Sequence, residues 1–519
     1  MQLASLIGPE ATLDGGTATV EIAGITADSR AVRPGFLFAA LAGSKTDGAR
    51  YIADAVAEGA AAVLASRDAV VSVPESVALV RAEEPRRALA LMAARYFGPG
   101  PETIVAVTGT SGKTSVAEFT RQIFAHLGHK AASLGTLGVI KPGGAVYGSL
   151  TTPDPVTLAR TLAELRAEGV THLAMEASSH GLDQFRIDAV SAASGNARLR
   201  SGQPERKGII AAGAFTNLGR DHMDYHPTVE HYLGAKLRLF RELIGPGEHG
   251  AAVINTDGAY ADRAIEAARE RGLDIVTVGT KGKHLRLLNV TREGFKQRLT
   301  IEAGGQFHDI VLPLVGAYQV ENALVAAGLV FSVTDSTDFS PVLQALAHLQ
   351  GVPGRLDIVG EARGGLAVVD YAHKPEALTA VLDALRPFAT GKLLCVFGCG
   401  GDRDRGKRPI MGRIAVEKAD VVIVTDDNPR TEVAAAIRAE VLAGAVGARE
   451  IGDRAEAIKS AVASMGAGDV VVVAGKGHEA GQIVGDKVLP FSDHEELAKE
   501  LAKELAKALA KTGGGKAHG

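Results

Sequence analysis

A glycine-containing loop with a lysine and several hydroxyl side chains, residues 109–115, suits phosphate chemistry. The apolar run 104–107 before it predicts a buried strand, and apolar residues at helical spacing behind it predict a helix. Strand, tight turn and helix in this order direct backbone N–H groups and the positive helix end at one anion. We therefore expect Lys113 to contact the β- and γ-phosphates of a nucleotide and the Thr114 hydroxyl to bind Mg²⁺. Val107 replaces the first glycine of the usual pattern, so the loop is a shorter variant.

A second predicted strand, His172–Glu176, ends on a carboxylate. By itself, a glutamate in that position would be a solvated cap. Beside a phosphate loop, a strand-end carboxylate can instead hold Mg²⁺ opposite Thr114. We expect Glu176 to have this metal role.

Acidic and histidine side chains crowd the segment after a further predicted strand, residues 214–218. They are Asp221, His222, Asp224 and His226. This composition suits metal binding or proton transfer, although Asp221 could equally cap the following helix. That helix carries Lys236, which its residue type alone would assign to the solvated surface.

The chain beyond residue 351 alternates strands and helices again. We predict strands at residues 366–369, 393–397, 421–424 and 470–474, each followed by a polar loop where open α/β sheets bind ligands. The loop after 393–397 begins like a dinucleotide-binding fingerprint, but Arg403 occupies the third glycine position. We therefore reject NAD as a cofactor.

Composition limits the class of protein. The 519 residues are 46% hydrophobic and 22% charged, with a net charge of -4, and basic residues are scattered, which makes nucleic acid an unsuitable partner. No apolar stretch approaches the roughly 20 residues of a membrane helix, and the N-terminus lacks a signal sequence, so we expect a cytoplasmic protein without membrane insertion. Cys395 and Cys399 lack the partners of a metal site and are expected to be buried, reduced thiols.

Length and linker composition predict several domains. We expect an α/β protein with a smaller α/β N-terminal domain (1–101), a central phosphate-loop domain with a mostly parallel sheet (102–350) and a Rossmann-like C-terminal domain (351–495). A four-residue Glu-Leu-Ala-Lys repeat predicts a surface helix in the tail, 496–519.

The chain resembles the Mur ligase family over nearly its whole length. The motifs that carry the resemblance occur in the family's order: TGTSGKTS, MEASSHGLDQFR, TNLGRDHMDYH, YLGAKLRLF, GRLD, DYAHKP, GGDRDRGKRP and DNPR. The resemblance implies an ATP-dependent ligase of peptidoglycan precursor synthesis that adds meso-2,6-diaminopimelate to UDP-MurNAc-L-Ala-D-Glu through an acyl phosphate. It also implies ATP as co-substrate and Mg²⁺ as cofactor, and we expect a monomer.

Site residues follow from the resemblance, position by position. Catalytic roles match Lys113, Glu176, His222 and Lys236. Metal ligands match Thr114, Glu176, His222 and Lys236, the last as a carbamate (N6-carboxylysine), which replaces the solvated reading of that lysine. ATP contacts match Gly109, Thr110, Ser111, Gly112, Lys113, Thr114, Ser115, Asn322, Arg355 and Asp370. UDP-MurNAc-peptide contacts match Ala27, Ser29, Ser44, Lys45, Thr46, Thr151, Thr152, Ser178, Gln184 and Arg186. Diaminopimelate contacts match Arg403, Asp427, Asn428, Pro429, Arg430, Gly475 and Glu479.

Arg430 is the residue expected to select the amino acid. Diaminopimelate differs from lysine by a carboxylate at its far end, and an arginine fork binds such a group through two parallel hydrogen bonds. Alternatives are ligation of L-lysine or another amino acid, a related amide ligase that extends folate, and a phosphate-loop NTPase that switches a partner. The DNPR motif argues against the other ligases, and the Asp/His group with Lys236 argues against the switch.

The sequence departs from the family pattern at a few positions. Ser111 stands where asparagine is common, Gln319 replaces an expected asparagine, and Leu150 precedes the two threonines where some members carry a polar residue. The link 193–209 is longer than usual and basic. These differences concern the geometry near the peptide site.

Overall fold

The computed structural model of the chain describes residues 1–43, 47–146, 150–193, 210–245, 250–334 and 336–513. Residue contacts divide the chain into two compact units. The first unit comprises Met1–Leu287, Glu302–Phe307 and Asn322–Ala345, and the second comprises Leu288–Ile301, His308–Glu321 and Leu346–Gly519. The predicted α/β class is confirmed, whereas the predicted domain boundaries stay a prediction.

A five-stranded sheet begins the first unit. Its strands are β1 (Thr12–Gly15), β2 (Gly24–Thr26), β3 (Phe36–Ala39), β4 (Ala62–Ser66) and β5 (Ala78–Ala82). They lie in the order β1-β5-β4-β3-β2, and only the β1–β5 pair is antiparallel within this sheet. Helices α1 (Ile52–Ala57) and α2 (Pro85–Phe97) bury their apolar side chains against its opposite faces.

A second, mostly parallel sheet forms the centre of the first unit. Its strands are β6 (Thr103–Thr108), β7 (Ala131–Gly135), β8 (Gly138–Lys141), β9 (Gly144–Val146), β10 (His172–Glu176), β11 (Ala212–Phe215), β12 (Ala251–Asn255) and β13 (Asp274–Gly279). The order is β13-β12-β11-β6-β10-β7-β8-β9, parallel from β13 to β7. Because β6, β10 and β11 are parallel neighbours, their carboxyl ends meet at one edge, where ligands bind in such sheets.

One strand of this sheet is shorter than predicted. The sequence predicts residues 214–218, whereas β11 spans Ala212–Phe215, so the strand begins and ends earlier than predicted. Beyond that point Thr216 Oγ1 donates to Ser111 O at 2.7 Å and Asn217 O accepts from Thr110 N at 2.9 Å. Thr216 and Asn217 therefore form hydrogen bonds with the loop after β6, and the strand does not continue through them.

Helices connect and cover the central sheet. They are α3 (Lys113–His126), α4 (Pro155–Ala167), α5 (Ser179–Asp183), α6 (Asp188–Ala193), α7 (Val229–Arg238), α8 (Ala261–Glu270) and α10 (Ser340–Ala345). Helix α7 continues into a π-helical turn, Leu239–Leu243, a feature that occurs often at functional sites. The sheet continues beyond β13 through three more strands, β14 (Leu285–Glu293), β15 (Lys296–Ala303) and β16 (Gln306–Leu312). These strands and helix α9 (Ala317–Phe331) contribute residues to both units.

A third sheet organises the second unit. Its strands are β17 (Asp357–Ala362), β18 (Gly365–Asp370), β19 (Leu393–Phe397), β20 (Val421–Val424), β21 (Arg449–Glu450) and β22 (Val470–Ala474), and a hairpin of β23 (Gly481–Val484) and β24 (Lys487–Pro490) follows. The order is β17-β18-β22-β19-β20-β21, parallel from β18 to β21. The four strands predicted in this region are confirmed, with β18 one residue longer at each end.

Helices α11 (Pro375–Leu385), α12 (Lys407–Lys418), α13 (Ala434–Leu442), α14 (Arg454–Ser464) and α15 (Asp493–Gly513) complete the second unit. The predicted C-terminal helix is confirmed, and its Leu497 and Leu501 are buried in the core beside the sheet. Arg454 forms a fully buried ion pair with Asp493 at the first residue of α15, with N–O distances of 2.6 and 2.7 Å.

The two cysteines behave as predicted. Cys395 and Cys399 are buried and form no disulfide. Burial raises the pKa of the Cys395 thiol to about 12 and that of Cys399 to about 11, so both stay protonated. Among the helices of the described residues, none is long and apolar enough to cross a membrane.

Candidate active site

The loop between β6 and α3 has the backbone shape that the sequence predicts for a phosphate cradle. Gly109 and Gly112 have φ values of +149° and +88°, which residues with side chains rarely adopt. A Cβ on Gly109 would also overlap Thr216 Oγ1, and one on Gly112 would overlap Asn322 Oδ1, so a side chain at either position would displace these neighbours. Asn322, a predicted ATP contact, therefore lies directly against the loop.

Two lysine side chains meet at one carbonyl oxygen of this loop. Lys113 Nζ donates to Gly109 O and to Thr110 O, both at 2.9 Å. Lys236 Nζ donates to the same Gly109 O at 2.7 Å and lies 4.3 Å from the centre of the Tyr232 ring. The structure thus brings together two of the four predicted catalytic residues.

Lys236 is buried, so the surface reading of its residue type is wrong. Its relative exposure is 1%. Burial lowers the pKa of Lys236 well below the ordinary lysine value, and the positive charge of Lys113 lowers it further. The surroundings of this side chain therefore favour the neutral amine, the nucleophilic form, over the ammonium.

The segment before α7 presents His222. Thr228 is the N-cap of α7, so the alternative that Asp221 caps this helix is wrong. Asp221 Oδ1 instead accepts a hydrogen bond from His222 N at 2.9 Å. His222 has a φ of +56°, and its ring centre lies 4.9 Å from that of His180. A left-handed conformation in a non-glycine residue is uncommon and is typical of functional positions.

Glu176 lies at the end of β10 beside Val107 of β6 and is 1% exposed, so it is not a solvated cap. Its Oε1 accepts a hydrogen bond from Thr136 N at 2.7 Å. Over the described parts of the chain, no group of three His, Cys, Asp or Glu side chains forms a ready cation site. A metal ion beside Glu176 would therefore need further oxygen ligands from a hydroxyl, a bound phosphate or a modified lysine.

The structure joins the predicted peptide contacts in the central sheet into one hydrogen-bonded network: Thr151, Thr152, Ser178, Gln184 and Arg186. Ser178 Oγ donates to Thr152 Oγ1 at 2.9 Å, and Arg186 Nη1 donates to Thr152 O at 2.8 Å. Arg186 Nη2 also donates to Gln184 Oε1 at 2.6 Å. Thr152 Oγ1 donates to Glu176 O at 3.1 Å, which ties the network to the metal-binding candidate.

The predicted uridine contacts are only partly described. Ala27 and Ser29 follow β2 directly, at the edge where the parallel strand β3 also ends. Ala27 is exposed and Ser29 is half-buried. Ser44, Lys45 and Thr46 lie outside the described residues, as does most of the basic link, residues 194–209.

Two predicted ATP contacts belong to the second unit. Asp370 ends β18, is 5% exposed and accepts hydrogen bonds from Leu356 N and Ala372 N, both at 2.8 Å. Burial raises the pKa of Asp370 to about 6. Arg355 lies 5.2 Å from the centre of the Tyr371 ring, and its buried Nε has no hydrogen-bond partner within the described residues. Such an orphaned donor is consistent with a ligand contact.

A cavity of about 750 Å³ opens at the carboxyl ends of the parallel strands in the second unit. Its lining includes the following predicted diaminopimelate contacts: Arg403, Asp427, Asn428, Arg430, Gly475 and Glu479. Pro429 belongs to the same loop but does not line the cavity. Arg430 has a φ of +52°, and its Nη1 donates to Gly401 O at 2.8 Å. Its backbone pairs with the β23–β24 hairpin through Ile483 O and Gly485 N.

Sequence reasoning missed several residues of these sites. The cavity is also lined by Tyr371, His373, Lys374 and Lys407, and Lys407 Nζ donates to His373 O at 2.7 Å. These residues stand in the DYAHKP and GGDRDRGKRP motifs, so their position after predicted strands was the available signal. Thr136 gave no such signal, because its contact with Glu176 depends on the pairing of β7 with β10.

Three domain families match this chain. They are the Mur ligase family, catalytic domain, at residues 21–97; the Mur ligase middle domain at residues 107–196 and 202–330; and the Mur ligase, glutamate ligase domain, at residues 354–477. Together with the cradle and the buried lysine, these matches define the class of protein. The chain belongs to the Mur ligase family.

Individual proteins are also similar to this chain over nearly its whole length. The UDP-N-acetylmuramoyl-L-alanyl-D-glutamate--2,6-diaminopimelate ligase of Bradyrhizobium diazoefficiens is 55% identical over 504 residues, which cover 96% of this chain and 98% of that protein. The ligase of the same name from Brucella melitensis is 56% identical over 485 residues, covering 93% and 95%. A solved structure of a ligase of this name has a TM-score of 0.71 at 31% identity and covers 97% of this chain and 99% of its own.

The cradle glycine Gly112 gives a test with an internal control. Gly112→Ala is expected to weaken ADP binding about tenfold or more, because strain at positive φ combines with a collision against Asn322 and displaces the loop. Gly128, at the other end of α3, has a nearly equal φ of +89° but open space around its Cβ position. Titration with ADP should show normal affinity for Gly128→Ala. Equal affinities for the two variants would contradict the cradle assignment.

Proposed function

We propose that this protein is an ATP-dependent ligase that joins meso-2,6-diaminopimelate to UDP-MurNAc-L-Ala-D-Glu, a cytoplasmic step of peptidoglycan precursor synthesis. The relatives that match nearly the whole chain carry the name of this reaction. The observation that carries the proposal is the cradle with two converging lysines. A cavity lined by both arginines and carboxylates supports the amino-acid substrate.

The cradle suits transfer of a phosphoryl group to a carboxylate. Negative charge spreads over the transferring group, so positioned cations and N–H donors supply most of the rate. Lys113, at the N-terminus of α3, provides positive charge beside backbone N–H groups of the loop. We infer that the accepting carboxylate is the terminal one of the muramoyl dipeptide, held by the network around Thr152 and Arg186. The product is an acyl phosphate, which an amine then attacks.

Mg²⁺ is part of this proposal, and the residues present suit it. Glu176 offers a buried carboxylate beside the cradle, Thr114 offers a hydroxyl on the first turn of α3, and the backbone N–H of His222 donates to Asp221. When bound, Mg²⁺ would neutralise phosphate charge. The role of these residues is to hold it and to keep the phosphates oriented.

Lys236 is proposed to carry a carbamate. A neutral amine can add carbon dioxide to give an anionic, carboxylate-like group with release of a proton. Burial and the charge of Lys113 both favour the neutral amine, and the charge of Lys113 also favours the anionic product. The carbamate would supply the oxygen ligands that unmodified side chains lack here. It would also replace the contact between two basic groups by an ion pair with Lys113.

The cavity of the second unit is proposed to bind the amino acid. Diaminopimelate carries two ammonium and two carboxylate groups, and the lining offers arginines 403 and 430 with carboxylates 427 and 479. Arginine binds a carboxylate with two parallel bonds, and carboxylates accept from ammonium. L-Lysine would leave one cationic partner unmatched, so it is the weaker candidate.

We keep the predicted domain division, 1–101, 102–350 and 351–495 with the tail 496–519, as part of the proposal. The matched family segments, which end near residues 97 and 330 and begin again near 354, are consistent with it. Under this division the uridine contacts Ala27 and Ser29 belong to the first domain and the phosphate cradle to the second. The third domain holds the amino-acid contacts together with the ATP contacts Arg355 and Asp370.

The amine requirement tests the function directly. Purified protein with ATP, Mg²⁺ and UDP-MurNAc-L-Ala-D-Glu should release ADP at a sustained rate only when diaminopimelate is added, and the tripeptide product should accumulate in equal amount. A panel of L-lysine, L-ornithine, L-glutamate and diaminopimelate isomers would rank the substrates. Steady ADP release without any amine would support a hydrolytic switch instead. Preferential ligation of L-lysine would support the alternative substrate.

Arg430→Ala is expected to reduce kcat/KM for diaminopimelate by about a hundredfold, because a buried carboxylate would lose its bidentate partner. The rate with L-lysine should change far less, since lysine lacks that carboxylate. Arg405, in the neighbouring polar loop but outside the cavity lining, offers the matched control, and Arg405→Ala should behave as wild type with both amines. Equal losses with every amine would refute the role of Arg430 in selection.

Depletion of carbon dioxide should inactivate the enzyme if Lys236 is carbamylated, and bicarbonate should restore it. Lys236→Ala is expected to be inactive and to recover part of its activity with propionate, which can occupy the vacated volume and replace the carbamate oxygens. Lys113→Ala should be equally inactive without any recovery, since a carboxylate cannot replace its charge. Activity that is indifferent to bicarbonate, with no rescue of Lys236→Ala, would rule out the carbamate.

A further inference from the structure

A buried lysine lies behind the amino-acid cavity and has no part in the mechanism above. Lys476 follows β22 directly and is 0% exposed. Its neighbour Gly475 and the nearby Glu479 line the cavity, whereas Lys476 itself does not. Its ammonium group donates to Glu479 Oε2 at 3.0 Å and to Asn428 Oδ1 at 3.1 Å. Both partners are cavity residues, so a contact with Lys476 bears on the shape of the cavity.

These bonds fix the orientation of the Asn428 amide. Asn428 Oδ1 accepts from Lys476 Nζ and also from Ile483 N of β23 at 2.9 Å. Asn428 Nδ2 donates to Glu479 Oε2 at 2.9 Å. A flipped amide would place Nδ2 against two donors, which is unfavourable. Lys476 therefore helps to orient the Asn428 amide so that its Nδ2 faces Glu479.

The same bonds hold one carboxylate oxygen of Glu479 in place. Glu479 Oε2 accepts from both Lys476 and Asn428. A second acidic side chain, that of Asp427, lies beside Gly475, since a Cβ on Gly475 would lie 2.6 Å from Asp427 Oδ2. Arg454, also buried nearby, is engaged with Asp493 and the Ala474 carbonyl. Lys476 thus provides positive charge bonded directly to the carboxylate.

We propose that Lys476 is a positioning residue for the amine substrate: it holds Glu479 and Asn428 in the arrangement that binds the ammonium group of the incoming amino acid. This inference rests on the proposed ligase function. Lys476 does not touch the substrate, and its effect passes through Glu479. Substitution of Lys476 should therefore weaken binding of the amine substrate and leave the preceding phosphoryl transfer intact.

The test separates activation of the carboxylate from use of the amine. Hydroxylamine attacks an acyl phosphate at its carbonyl carbon, so that a C–N bond forms, the C–O bond to phosphate breaks and the nitrogen loses a proton to solvent. The resulting hydroxamate reports acyl phosphate formation without the amino-acid cavity. Lys476→Met keeps the length of the side chain and removes its charge. Lys487→Met, at an exposed position of the β23–β24 hairpin, is the matched control.

Lys476→Met is expected to raise the KM for diaminopimelate about tenfold to a hundredfold, as the loss of a buried charged hydrogen bond predicts. Hydroxamate formation and the KM for ATP should stay within about twofold of wild type. Glu479→Gln should show a comparable rise in KM. The double variant should be no worse than Glu479→Gln alone, because both changes break the same contact. Lys487→Met should match wild type throughout.

Other results would overturn the inference. A wild-type KM for diaminopimelate in Lys476→Met would exclude the positioning role. Loss of hydroxamate formation together with ligation, or a lowered thermal midpoint with global loss of activity, would assign Lys476 to folding alone. Additive effects in the double variant would mean that Lys476 and Glu479 act independently. Failure of the wild-type protein to ligate diaminopimelate would instead overturn the proposed function.

Discussion

One carbonyl oxygen with two lysine donors is the constraint on which the first unit depends. Gly109 O accepts from Lys113 at 2.9 Å and from Lys236 at 2.7 Å. Two ammonium groups that share one acceptor repel each other, and burial adds a penalty for charge, so the pKa of the more deeply buried Lys236 is lowered toward the neutral amine. Lys113 then supplies positive charge for an anion, while Lys236 becomes a reactive amine. The chemistry proposed for this site follows from that unequal division of charge.

In the second unit, hydrogen bonds likewise hold the polar side chains that line the cavity. Parallel strands end at one edge, and their loops are fixed by buried hydrogen bonds before any ligand binds. Asn428 is held by Lys476 and the β23–β24 hairpin, and Arg430 is held by the same hairpin through its backbone. Preorganised partners of this kind lose little entropy on binding, which favours discrimination between similar amino acids.

The sequence predicted the strands and the cradle because their signals are local. β19, β20 and β22 coincide with continuous apolar runs, and the shape of residues 109–112 follows from its glycines. Burial of Lys236, by contrast, depends on the packing of α7 against the cradle, and residue type alone gave the opposite answer. Lys476 was given no role for a similar reason. Glu479 is only three residues away, but the contact with Asn428 depends on how the loops after β20 and β22 meet in the folded chain. The role of Lys236 was predicted from the resemblance to a family, because residue type and local sequence pattern did not indicate it.

Transfer of a carboxylate oxygen to phosphate tests the central claim most directly. UDP-MurNAc-L-Ala-D-Glu labelled with ¹⁸O in its terminal carboxylate would be ligated to diaminopimelate, and the released inorganic phosphate would be analysed by mass spectrometry. Activation through an acyl phosphate predicts one ¹⁸O atom in each phosphate released, because the bridging oxygen leaves with phosphorus when the amine attacks. Unlabelled phosphate, with both ¹⁸O atoms retained by peptide and water, would contradict phosphoryl transfer to the carboxylate at this cradle.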